Sequence, residues 1–89
     1  MKIKKNFVLR QVAQTWIVMP LAAQNENLNG MLTLTESGAM LWQLLEQGCD
    51  LSALVDAMTR EYDVSESKAQ EDALKFTTKL MQFGCLDAD

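Results

Sequence analysis

At 89 residues, with 48% apolar and 22% charged side chains, the chain has the composition of one ordinary globular domain, expected to span residues 1–89. Its net charge of -4, with Arg10 and Arg60 as the only arginines, offers no dense basic patch for a phosphate backbone, which argues against nucleic acid as a partner. There is no histidine, so the commonest general acid–base and the commonest metal ligand are both missing.

Cys49 and Cys85 stand far apart, neither in a CxxC pair, and read as free, half-buried thiols. No catalytic constellation, metal site or cofactor is expected, and two separated cysteines cannot supply the usual ligand set of an iron–sulfur cluster. No run approaches the roughly 18 apolar residues of a spanning helix. The Met-Lys-Ile-Lys-Lys start lacks the apolar core of a signal peptide, so a cytoplasmic protein without membrane attachment is expected.

Lys2, Lys4 and Lys5 read as a solvated basic lead-in. Phe7 to Val12 and Thr15 to Pro20 are rich in β-formers and are separated only by Ala13 and Gln14, the length of a tight hairpin loop, although Ala-Gln lacks the glycine or asparagine of the favoured turns and a loop wider by one residue on each side is the alternative. Pro20 closes the second strand, because proline cannot donate to a ladder. Leu21 to Asn29 is polar and turn-like, and Gly30 precedes a third strand, Met31 to Leu34, in which Leu32 and Leu34 share one face and Met31 and Thr33 the other.

Thr35 is placed to cap the first helix, with Glu36 in its first turn, and Met40, Leu41, Trp42, Leu44 and Leu45 cover most of its circumference. Gly38 allows close backbone approach, and Gly48 ends the helix. Asp50 caps a second helix carrying Leu51, Leu54, Val55 and Met58, and Tyr62 to Val64 form the following turn. Ser65 caps a third helix from Glu66 to about Phe83, stopped by Gly84. Its core stripe reads Ala69, Ala73, Phe76, Leu80 and Phe83, while Leu74, Thr77 and Met81 fall on a shoulder roughly 80 to 140° round from Ala69. Cys85-Leu86 could return briefly along the domain before an acidic, frayed end.

The predicted fold is α+β: a three-stranded antiparallel sheet followed by three helices, the outline of a winged helix-turn-helix with its sheet first. A DNA-binding regulator is one reading, but the acids Glu66, Glu71 and Asp72 of the third helix cancel Lys68, Lys75 and Lys79. Met31 to Leu34 has no lysine, proline or inward charge to blunt a sheet edge. An extended peptide could add there as a further strand, with the shoulder of Leu74, Thr77 and Met81 as the opposite wall. Self-pairing of the same edge in a homodimerising structural protein is the remaining alternative.

The segments Asn6 to Val12, Asn29 to Ala39, Leu41 to Leu45 and Glu61 to Val64 resemble, in order and spacing, the PqqD-like family of small peptide-binding domains, also called RiPP recognition elements. The resemblance implies a non-catalytic peptide chaperone. Such a chaperone captures the leader segment of a ribosomally made precursor peptide and presents it to a modifying enzyme, typically a radical SAM enzyme. It also implies that the leader adds to the third strand beside the third helix, on Met31, Leu32, Thr33, Leu34, Leu74, Thr77, Thr78 and Met81. At the end of the first helix, Glu46-Gln47-Gly48 departs from the founding members that serve pyrroloquinoline quinone synthesis, so the resemblance does not extend to that end product.

Overall fold

The computed structural model describes residues 1–21 and 32–87. In chain order the elements are β1 (Lys2–Ile3), β2 (Phe7–Val12), β3 (Thr15–Pro20), β4 (Leu32–Leu34), α1 (Glu36–Gln47), α2 (Leu51–Glu61), α3 (Glu66–Phe83) and β5 (Leu86–Asp87). The expected antiparallel sheet is present in the order β2-β3-β4, followed by the three expected helices. The predicted loop before Gly30, Met31 of the predicted third strand, and Asp89 lie outside the described residues.

The hairpin between β2 and β3 closes through the two residues Ala13 and Gln14, and Ala13 takes φ 57, the positive value such a tight turn requires. Each helix begins at the expected cap: the side chains of Thr35, Asp50 and Ser65 accept from the backbone N–H of Gly38, Ala53 and Lys68. Each thereby satisfies a donor that the helix cannot. Gly48 and Gly84 close α1 and α3 with φ of 93 and 91.

Trp42 of α1 is fully excluded from solvent together with Leu45, Leu54, Leu80 and Val18. One residue from each helix and one from the central strand thus meet around a single indole, while Leu44 and Leu32 are half-buried and pack against this cluster. The indole N–H donates to Glu46 Oε2 at 3.0 Å, so the one polar atom of the ring is satisfied one turn further along its own helix. Gly38 lies where a Cβ would meet Phe76 Cε1 at 3.2 Å and Leu34 Cβ at 3.4 Å, which locks the start of α1 between β4 and α3.

Lys2, Lys4 and Lys5 are exposed as expected, but the lead-in they belong to is a paired strand and not a loose terminus. Lys2–Ile3 pairs antiparallel with Leu86–Asp87, Ile3 is 6% exposed, and the backbone of Met1 exchanges two hydrogen bonds of 2.9 Å with Cys49. The alternation Met-Lys-Ile-Lys was legible as period two, but two residues are too short to signal a strand before its partner is known. The partner is the expected return of the chain at Cys85-Leu86.

Cys49 and Cys85 are free thiols. Burial pushes the Cys85 thiol up to about 11, against an ordinary 9.0, and raises that of Cys49 as well. Between those two values the unfolded thiol of Cys85 has lost its proton while the folded one keeps it, so the unfolded state binds fewer protons and stability falls as pH rises. Urea unfolding should therefore show stability that is flat below about pH 8 and declines through pH 9–11, with a smaller decline in Cys85→Ala. A decline of equal size in that variant would remove the thiol as its cause.

Candidate functional site

Strand β4 pairs with β3 in the register Trp16 to Leu34, Ile17 to Thr33 and Val18 to Leu32, and no strand flanks its other side among the described residues. The orientation of its backbone follows from the neighbouring hairpin. Leu21 N–H donates to Asn6 C=O at 2.8 Å, one step beyond the Phe7 to Pro20 pair. Bonded and non-bonded pairs alternate along an antiparallel ladder, so Arg10 and Ile17 form a bonded pair, whereas Trp16 and Val18 turn their main-chain groups the other way, toward β4.

Two observations agree with this phase. Pro20 has no N–H to give, and the Phe7 N–H points to Lys4 C=O at 3.4 Å. Leu34 and Leu32 therefore bond to Trp16 and Val18, and Thr33 directs both its N–H and its C=O to the side of β4 that no described strand occupies. Its side chain is exposed, while those of Leu32 and Leu34 face the core.

Beyond Leu34 the edge runs into a cleft of about 290 Å³. One wall is Thr35, Ser37 and Gly38 at the start of α1, and the other is Asp72, Lys75, Phe76 and Lys79 on α3. Leu41 and Met58 are also in the lining. Thr35 Oγ1 and Ser37 Oγ lie 3.2 Å apart, and Thr35 Oγ1 also accepts from Gly38 N–H at 3.1 Å. Phe76 is half-buried against the core, as are Trp16 and Leu32 on the sheet. The floor beside the edge is thus apolar and partly open.

Of the α3 residues expected opposite the edge, none lines this cleft. Leu74, 56% exposed, lines a separate depression with Leu51 and Val55 of α2. Met81, 41% exposed, follows Leu74 at i+7 on the same helix face. Thr77 is 3% exposed, its hydroxyl donating to Leu74 C=O at 3.1 Å, and Thr78 is exposed. The α3 residues that do line the cleft, Asp72, Lys75, Phe76 and Lys79, lie on the opposite shoulder of the helix. Sequence reasoning assigned Phe76 wholly to the core and did not single out Lys75 and Lys79 for the groove; the signal available was their i, i+4 spacing beside Phe76.

The sheet, the three helices and the open third strand define a small winged-helix-like α+β domain. The family described as Coenzyme PQQ synthesis protein D (PqqD) matches over residues 15–86, and the chain belongs to the PqqD family. Two solved structures are similar over nearly the whole length. One, of TbiB1 in complex with the TbiA(beta) leader peptide, is 25% identical with a TM-score of 0.80, covering 100% of this chain and 98% of that one. The other, a lasso peptide synthetase B1 complexed with the leader peptide, is 18% identical with a TM-score of 0.75, covering 94% of this chain and 93% of that one, and shares the fold. No curated protein matches the chain.

Proposed function

We propose that the chain is a non-catalytic recognition domain that takes the leader segment of a ribosomally made precursor peptide as an extra strand along β4 and holds it for a modifying enzyme. The observation that carries this reading is the outward backbone pair of Thr33 on an edge that no described strand covers, close to a half-open cleft in which Leu41, Met58 and Phe76 sit among hydroxyl and charged groups. Membership of the PqqD family and likeness to two structures that hold leader peptides support it. The proposed contact set is the edge itself, Leu32, Thr33 and Leu34 with Met31 preceding them, together with Phe76, Lys75 and Lys79 of α3. A radical SAM enzyme is the partner class that the family resemblance implies. No helix among the described residues is long and apolar enough to cross a membrane.

The test is an NMR titration of labelled protein with a synthetic leader from a precursor peptide encoded beside this gene. The Thr33 amide should shift and become protected from solvent exchange, with accompanying shifts at Phe76. Perturbations confined to the turn between α2 and α3, with none at Thr33, would sink the proposal.

A further inference from the structure

The charges around the cleft are not balanced. Asp72 is the only carboxylate in its lining, and Lys68 holds it at 3.3 Å. Lys75 and Lys79 have no carboxylate within 4.0 Å among the described residues. They stand at i, i+4 on one helix, a like-charge spacing that costs an isolated helix a few tenths of a kcal/mol. In a chain with twelve acids against eight bases, two lysines without an ion pair at one cleft, where the acids Glu71 and Asp72 are already engaged by Lys68, leave a local excess of positive charge. Glu36, next in sequence to Thr35 and Ser37, does not take part in the lining, so the α1 wall answers the lysines with two hydroxyls and no negative charge.

We propose that this pair makes the groove selective for acidic peptides. A strand added along β4 places one Asp or Glu side chain between Lys75 and Lys79, and the residue two positions away on the guest, on the same face, fills the apolar space beside Phe76. The inference rests on the strand-addition reading and names the substrate class for it. Two lysines reading one carboxylate supply an electrostatic contribution that steers association and fixes register, the usual role of rim charges in an interface. The hydroxyls of Thr35 and Ser37 are within the same cleft and can donate to the second carboxylate oxygen.

The experiment uses a random twelve-residue peptide library displayed on phage and selected against the intact protein. The parent should enrich Asp or Glu at one position, with an apolar residue two places from it. The double variant Lys75→Glu, Lys79→Glu should enrich Lys or Arg at that same position. A synthetic peptide from the parent selection should bind about tenfold more weakly to Lys75→Gln, Lys79→Gln, and that variant should lose most of the salt dependence of binding. Both lysines are exposed, so these variants keep the fold.

Thr33→Pro separates strand addition from charge recognition. Peptides that need Thr33 but show no acidic preference, or a preference unmoved by charge reversal, overturn the carboxylate inference and leave strand addition standing. Enriched peptides that bind Thr33→Pro as well as the parent, or no enrichment at all, overturn strand addition itself.

Discussion

Thr33→Pro is expected to keep the circular dichroism spectrum and thermal midpoint of the parent and to lose leader binding by roughly 10- to 100-fold. The asymmetry follows from the ladder phase. The Thr33 N–H points away from β3, so proline there removes no bond of the sheet, and an edge position is where a strand tolerates it. A guest strand would lose its donor, and a carbonyl left without a partner in a closing interface costs about 1–3 kcal/mol. Leu34→Pro is the matched control: its N–H serves β3, so the same substitution one residue later should disrupt the sheet and unfold the domain. Calorimetry and fluorescence anisotropy on the two variants read both effects. If Thr33→Pro unfolds the protein while Leu34→Pro does not, the phase is reversed and the outward pair belongs to the leucines.

Trp42→Ala should carry the largest stability loss of any single truncation. The side chain is 0% exposed and lies at the meeting point of α1, α2, α3 and the central strand. Emptying such a site costs about 3–5 kcal/mol through lost transfer energy and the cavity left behind. A domain of this size has roughly 4–13 kcal/mol in total, so the variant would be partly unfolded at 37 °C. Trp42→Phe keeps most of the ring volume but drops the bond to Glu46, and should cost about 1–2 kcal/mol. Urea titration monitored by far-ultraviolet circular dichroism measures both without relying on the tryptophan signal. A loss below 1 kcal/mol for the alanine variant would mean that Trp42 does not organise the core.

The framework of this fold is readable residue by residue because its signals are local. Thr35, Asp50 and Ser65 at helix starts, Gly48 and Gly84 at helix ends, and the Ala13-Gln14 hairpin each declare themselves within four or five positions. The β1–β5 ribbon does not, since Ile3 and Leu86 identify each other only once the chain has closed. The site was half legible. The unprotected edge of β4 could be seen from composition, but its partner wall could not, because an amphipathic helix has two shoulders and the sequence does not say which of them α2 will claim. In the structure α2 lies along the Leu74 side, while Lys75, Phe76 and Lys79 line the cleft at the start of α1. Leu74 sits in a depression with Leu51 and Val55 of α2, so an apolar surplus alone does not single out the cleft beside Thr35.

The outward backbone pair of Thr33 has a kinetic meaning for a guest strand. Within the described residues only Thr33 offers an outward donor and acceptor, since the C=O of Thr35, next in the period, is already taken by Ala39 N–H at 2.9 Å. Two ladder bonds at about 1 kcal/mol each fall far short of the roughly 8 kcal/mol that a micromolar complex needs. If a guest adds as proposed, side chains that drop beside Phe76 would contribute more to its residence time than these two backbone bonds. A guest held so lightly along its main chain can be released one anchor at a time, which suits a carrier that must surrender its cargo more than one that must keep it.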